Sequence, residues 1–524
     1  MTTRTIGISQ LRRMFLVLGC VAVATVTLPA HAISIERFGA VAGDTSYATS
    51  VKNGKALFLT FQAAARNDAD RSVVVPAGKV YSMVPYLPVV GVDNVTMWLE
   101  GTLNAFPGDQ TLWPNHTSNG RARCLLEFFG CSDVSLLGNG TLQGNGYRWW
   151  VSVFKTGLDN RPHLLRMESC IRTLFRGWTL LNSPMYHVKW VDMLHALVED
   201  VTVHVDVFAQ QELLRAHGHL FEPMKAGSKS GFKSIDAWPV EYRDMFREAA
   251  LAATALNGVL TPAELANWSW PTFPLNTDGI DVRGHNITVR RCDITNFDDS
   301  LCVKPMNGNG NLTQCSQDIL FEDSHITWGV GSSVGSVGPN PAVSCIRNTT
   351  FRNIRFTHPL KAIYVKPNPG DEGSGIVDRI TYENIHVEDC PWWTVWVSTQ
   401  QQHQPGSGAD TGCSWFYPLP GTKCQTQPLV PVTHLTIRNL TAIKSWLSPG
   451  VLMCNAYGPG TNWLMEDINI DSVLKFPMGD HFLCEALVNA TWSNVNVNCT
   501  DHIFANPSLK RGKRPLPPRT RRGH

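Results

Sequence analysis

Seven short segments of this chain repeat one theme, and that repetition restricts the possible folds more than any other feature. NVTMWLEGTL from Asn94, DVSLLGNGTL from Asp133, HNITVRRCDI from His285, QDILFEDSHI from Gln317, RNTTFRNIRF from Arg347, VDRITYENIHV from Val377 and VTHLTIRNLTA from Val432 share it. Each holds two stretches of alternating apolar and polar residues, joined by a small kink that often carries Asn or Asp. Alternation with a period of two reads as half-buried strand. Between His285 and Val377 the copies begin about thirty residues apart, so each unit buries its apolar face only by stacking on the next. The fold class that follows is all-β, a right-handed parallel β-helix. A β-sandwich also has many short strands and is the competing architecture. Asparagine at the kinks favours the β-helix, where turn side chains stack into ladders.

Two regions interrupt the pattern. Over about 208–270 the strand signal stops, and QQELLRAHGHL and EYRDMFREAALAATALNG carry helical spacing, the second ending at Gly258. This predicts a helical insertion in one coil. The segment 506–524 is basic and Pro-rich, without apolar periodicity, and reads as a disordered tail that could adhere to acidic polymer. At the N-terminus, Arg4, Arg12 and Arg13 precede an apolar run over 14–28 and the small-residue site AHA at 30–32. Residues 1–32 therefore read as a secretory signal, leaving 33–505 as one β-helix domain outside the cytosol.

Fourteen cysteines and about ten N-x-S/T sequons, among them Asn94, Asn115, Asn139, Asn286, Asn311 and Asn439, agree with secretion. Short spacings suggest bridges between Cys124 and Cys131, Cys413 and Cys424, and Cys484 and Cys499. No paired C-x-x-C pattern is present, so structural zinc is not expected and no metal or cofactor is assigned. The net charge of +2 points to neither nucleic acid nor a membrane surface.

Acidic residues cluster in PLNTDGIDVRG and ITNFDDSLCVKP. Asp278 lies 20 and 21 residues before Asp298 and Asp299, close to one coil, so stacking should bring the three carboxylates together. Adjacent strand residues face opposite ways, so Asp298 and Asp299 can both reach solvent only at a bend, marked by Asn296 and Phe297. Crowded carboxylates raise at least one pKa, which suits a general acid beside a general base. Inverting glycoside cleavage needs such a set, with acid and base roughly 6.5–9.5 Å apart. Asp and Asn that merely shape turns are the plain alternative.

Four ordered motifs then resemble the polygalacturonase family, glycoside hydrolase family 28: NTDGID at 276–281, DDSLCVK at 298–304, GVGSSVGSVG at 329–338 and KAIYVK at 361–366. FGA at Phe38, VVVPAGKVY at Val73, GNGTLQGNGYRWW at Gly138, NSPMYHV at Asn182 and ITYENIHVED at Ile380 extend the resemblance over about 35–389 and more weakly to Cys499. It implies that Asp298 is the general acid and that Asp278 and Asp299 position the attacking water. It also implies that Lys366 binds a substrate carboxylate; Asn276, Lys304 and Tyr364 are further candidate substrate contacts, Tyr364 as an aromatic sugar platform. The implied partner is a secreted monomer's pectic polysaccharide.

Two positions depart from the family pattern. Val330 stands where Gly-His-Gly is usual, and Tyr364 where the family carries Arg two residues before its lysine. Rhamnogalacturonan-cleaving members also lack that histidine, so a rhamnogalacturonan-type hydrolase is an alternative. A polysaccharide lyase on the same scaffold and an inactive wall-binding protein are two others. His325 is a candidate replacement imidazole, and Trp392, Trp393 and Trp396 are either sugar platforms or core. The glycines of GVGSSVGSVG are expected to let one coil pass close under a sugar chain.

Overall fold

The computed structural model describes residues 31–150, 160–206, 276–307, 315–401, 413, 417–418 and 423–502. The expected helical insertion at 208–270 and tail at 506–524 lie outside the described residues, as does the signal segment apart from its last two positions. Short strands follow one another along the chain, and nearly every pairing is parallel between consecutive coils. Among the described residues, twelve strands, from Val89–Val90 to Asn498–Thr500, stack into one sheet, and twenty-two others line the remaining walls. This is the stacked-coil, all-β architecture read from the repeat. No helix among the described residues is long and apolar enough to cross a membrane.

The kinks behave as their asparagines suggest. In the long strands Ser316–Trp328, Ser344–Thr357, Gly375–Glu388 and Val432–Ser445, the residues Asp323, Asn353, Asn384 and Asn439 all adopt φ of 51–55°. Their side chains form a ladder. Asn353 donates to Asp323 at 2.8 Å, Asn384 to Asn353 at 2.9 Å and Asn439 to Asn384 at 2.8 Å. Asn and Asp tolerate this left-handed backbone better than other side chains. Five sequon asparagines, Asn94, Asn286, Asn348, Asn439 and Asn489, occupy such kinks. There an Asn followed by an outward Thr is what the coil requires, with or without a glycan.

Inside the coil, like residues stack. The Phe321 and Phe351 rings lie 4.7 Å apart and 5° from parallel, and Phe351 stacks on Tyr382 with the same separation. All three are fully buried, and the Tyr382 hydroxyl donates to the Ser332 carbonyl at 3.1 Å. Phe351→Ala should cost about 3–5 kcal/mol through the cavity it leaves, read as a lower urea midpoint with an unchanged m-value.

One element was not read from the sequence. Helix α1, Tyr47–Ala64, begins at Ser46, whose hydroxyl accepts the Thr49 N–H at 3.3 Å. Its buried face, including Leu57, Phe61 and Ala64, packs on the first coil and covers an apolar end that would otherwise be open. Phe61 meets Phe128 edge-on at 5.4 Å.

Two expected disulfides are present, Cys413–Cys424 and Cys484–Cys499. The third is not. Cys124 and Cys131 are buried free thiols flanking the extended strand Leu126–Phe129, whose length separates them. Cys315 instead bonds Cys345, thirty residues away in sequence but adjacent in the stack.

Candidate active site

The site grows from the twelve-stranded sheet, whose central strands are β1 (Val188–Val191), β2 (Ile280–Val282), β3 (Leu301–Val303), β4 (Ser332–Val337), β5 (Lys361–Pro367) and β6 (Trp393–Val397). Their register aligns Lys189, Asp281, Cys302, Ser333, Tyr364 and Trp396 in one row, one residue per coil. The neighbouring row, Ile280, Leu301, Ser332 and Ile363, is buried in the coil. Because side chains alternate across a strand, the Lys189 row points out of the coil interior, where Tyr364 and Trp396 join a second apolar cluster. Lys304 and Lys366, two residues beyond Cys302 and Tyr364, share that outward face.

Asp278 precedes β2, and Asp298 and Asp299 precede β3. The Gly279 N–H donates to the Asp299 carbonyl at 2.8 Å, which joins the two turns coil to coil. One carboxylate oxygen from each of Asp278, Asp298 and Asp299 falls within 4.8 Å of the others. The coil-length spacing therefore does bring the three together. These oxygens are closer than the spread invoked for inversion: Asp298 and Asp299 are consecutive residues, and Asp278 comes from the adjacent coil, about 4.8 Å away.

The three groups have different surroundings. Asp299 is 1% exposed. Both its oxygens accept from Lys366 Nζ at 2.7 Å, and it also accepts from Lys304 at 3.0 Å and Ser333 at 2.7 Å. Burial alone would raise its pKa, but the two ammoniums and the Ser333 hydroxyl outweigh it and hold the carboxyl well below the usual range. Asp298 is half-buried, with its oxygens accepting the N–H groups of Asn276 and Asp299, each at 2.8 Å. Burial, then the adjacent Asp299 charge, raise its pKa from the ordinary value. Asp278, also 1% exposed, is held well above that range by burial and by the charges of Asp298 and Asp281. The arrangement sets one carboxylate held toward its ionised form beside two pushed toward their protonated forms, which suits acid–base work.

The turns that carry these groups are fixed by buried polar side chains. The strand Asp293–Asn296 ends at Asn296, as expected of the bend. The Asn296 amide donates to the carbonyls of Thr277, Asp298 and Asp299 at 2.9–3.1 Å and accepts from Ser300 at 2.7 Å. His187 takes the Ser183 N–H on Nε2 at 3.2 Å, so its Nδ1–H donates to the Asp278 carbonyl at 2.9 Å. Burial pushes its pKa down to about 4, so the ring stays neutral. Two glycines of GVGSSVGSVG serve the same turns. A Cβ on Gly329 would lie 2.2 Å from Ser300 Oγ, and one on Gly331 would lie 2.3 Å from the Lys361 carbonyl. Their bareness lets neighbouring coils close on the aspartate turn.

A cavity of about 300 Å³ opens over the aspartates, lined also by Tyr186, Asn276, Lys304, Val330, Tyr364, Lys366 and Gln401. The three aspartates, Asn276, Lys304, Val330, Tyr364 and Lys366 thus reach one cavity, although several are engaged differently from what the resemblance implies. Lys366 grips Asp299, and Lys304 reaches Asp281 at 3.2 Å, Asp299 at 3.0 Å and Asp278 at 3.9 Å. Asn276 offers its backbone to Asp298 while its side chain accepts from Arg161 at 3.1 Å. The Tyr364 ring lies 4.1 Å from Lys361 Nζ and 4.5 Å from Lys366 Nζ. Lys361 is buried, and burial followed by the Lys366 charge lowers its pKa to about 7. Val330 packs among Phe297, Tyr364 and the tryptophans.

His325 does not replace an imidazole there. It sits on the outer strand Ser316–Trp328, 3.2 Å from Thr357 Oγ1 and 3.5 Å from Asp293. Trp392, Trp393 and Trp396 are at most 6% exposed and pack a second apolar cluster, so they are core rather than platforms. Asp281, Ser333, Tyr186 and His187 were passed over, though each lies inside a motif already quoted. Aligning coils by register would have found Asp281 and Ser333.

The family model described as "Glycosyl hydrolases family 28" matches residues 67–209 and 261–487. Among curated relatives, a probable exopolygalacturonase B of Emericella nidulans is 24% identical over 423 residues, 78% of this chain and 76% of the relative. The exopolygalacturonase of Cochliobolus carbonum is 22% identical over 447 residues, covering 82% and 79%. Among solved structures, the endo-xylogalacturonan hydrolase of Aspergillus tubingensis superposes with a TM-score of 0.57 at 16% identity, over 87% of this chain and 96% of that one. An exopolygalacturonase of Thermotoga maritima gives 0.51 at 14% identity, over 91% and 94%. These superpositions establish a shared fold.

Proposed function

This chain belongs to glycosyl hydrolase family 28, and from that premise we propose that it hydrolyses galacturonate-containing pectic polysaccharide as a secreted monomer. The observation that carries the mechanism is the divergence of neighbouring carboxyls: Asp299 is held ionised by Lys366 and Lys304, while half-buried Asp298 is pushed toward its protonated form. Asp298 donates its proton to the leaving glycosidic oxygen. Asp299 accepts a proton from the attacking water, which Asp278 helps to orient. The names of the relatives support a galacturonan substrate.

Water, rather than a carboxylate, is the nucleophile in this reading despite the close spacing. A direct attack on carbon needs an uncommitted carboxylate. Asp299 has both oxygens engaged by ammoniums and a hydroxyl, and burial pushes Asp278 and Asp298 toward their protonated forms. The expected result is inversion. Proton NMR of the first product formed should show a reducing end of opposite anomeric configuration to the bond cut, and retention would overturn this mechanism. Reducing ends should appear from at least one of homogalacturonan, xylogalacturonan and rhamnogalacturonan without ultraviolet absorbance from an unsaturated ring. That absorbance would mark a lyase instead.

A further inference from the structure

The cations nearest the aspartates are already engaged by the enzyme's own carboxylates. Lys366 is bound to both oxygens of Asp299, and Lys304 is shared among Asp278, Asp281 and Asp299. One coil before Asp281 in the outward row stands Lys189. It is half-buried, and no carboxylate among the described residues lies within ion-pair distance of it. Its ammonium meets His163 Nε2 at 3.2 Å and the Tyr186 ring face at 5.7 Å.

The hydrogen-bond arithmetic around Lys189 leaves donors in excess. An ammonium can only donate, so His163 Nε2 must be the acceptor, which places the ring proton on Nδ1. That Nδ1 has no partner among the described residues, and neither has Nε of Arg166 one coil further away, whose guanidinium otherwise pairs with Glu168. Burial, with the charges of Lys189, Arg166, Arg161 and Arg121, keeps His163 well below its usual pKa. Tyr186 connects this patch to the cavity it lines, with Lys304 5.8 Å from its ring and His163 packed 4.7 Å away. A half-buried cation among unmet donors, one coil from Asp281 and beside the cavity-lining Tyr186, is complementary to an anion carried by the substrate.

We propose that Lys189, backed by His163 and Tyr186, binds the carboxylate of a galacturonate unit next to the bond that is cut. This rests on the galacturonan reading above and adds where an uncleaved acidic unit is recognised. An uncharged methyl ester at that unit forfeits the charge-assisted bond, so the site selects de-esterified stretches.

The test measures kcat and KM for the wild type, Lys189→Met and Lys189→Arg on galacturonans of graded methyl esterification. Wild-type KM should climb with esterification. Lys189→Met should raise KM about tenfold on the fully de-esterified polymer, the scale of one charge-assisted bond. Its kcat should stay within about twofold, and its dependence on esterification should be flatter; Lys189→Arg should restore the wild-type pattern. Parallel KM curves for wild type and Lys189→Met, or a loss confined to kcat, would overturn the proposal. If the wild type releases no reducing ends from any of these polymers, the substrate reading itself fails and the proposal fails with it.

Discussion

Asp298→Asn should lower kcat by about two to four orders of magnitude, the range that a positioned general acid contributes. The amide cannot donate a proton to the leaving oxygen, yet its shape is nearly unchanged. One of the two backbone N–H groups now held by Asp298, those of Asn276 and Asp299, would face an amide nitrogen instead of an oxygen. That costs about 1 kcal/mol, so the melting temperature should fall only slightly. The role has its own signature. A substrate whose leaving group is acidic enough to depart without protonation should be cut by Asp298→Asn far more nearly at the wild-type rate. Equal losses on activated and natural substrates would remove Asp298 from the acid role. Asp299→Asn makes a useful contrast, because it leaves Lys366 and Lys304 facing an uncharged amide. Breaking a buried pair from one side costs about 3–5 kcal/mol, so this variant should lose stability as well as rate.

Much of this site was legible because a β-helix converts sequence distance into spatial adjacency. Asp278 and Asp299 are 21 residues apart, and so are the paired residues Ile280 and Leu301, so one coil length brings the acidic motifs together. The same rule breaks down wherever coil lengths change. Ile280 to Leu301 spans 21 residues, but Ile380 to Leu435 spans 55. Register beyond the regular region cannot be counted from the sequence, and the row from Lys189 to Trp396 emerges only in three dimensions. Cys315 and Cys345 show this plainly: sequence proximity favours Cys124 with Cys131, while stacking brings together cysteines thirty residues apart. The partners of Lys366 were hidden for a related reason. A lysine in a motif looks available for substrate, and only the structure reveals that its charge is committed to Asp299. Helix α1 was missed because the repeat explains how coils stack but not how the first one is covered.

Lys366→Met tests that commitment, and its expected effect reaches both activity and its pH dependence. In the acid–base reading, the acidic limb of kcat/KM reports deprotonation of Asp299, and the alkaline limb reports loss of the proton from Asp298. Asp299 is held low against its burial by Lys366 and Lys304, so activity in the wild type should persist to pH values below the ordinary carboxylate range. Without Lys366 the Asp299 pKa rises, less of the base is ionised at low pH, and the acidic limb moves up. Asp298 moves the same way. Burial and Asp299 raise its pKa while Lys366 lowers it, so removing the ammonium lifts the alkaline limb too, unless Asp299 has by then lost its charge. The profile should shift to higher pH at reduced height, and thermal stability should fall, buffered by the remaining contact of Lys304 with Asp299 at 3.0 Å. Lys366→Arg keeps the charge and should leave the acidic limb near its wild-type place. An acidic limb that stays fixed or moves down in Lys366→Met would show that Asp299 is not the group whose ionisation the reaction needs. The base would then have to be sought at Asp278 or Asp281, both of which burial pushes toward the neutral form.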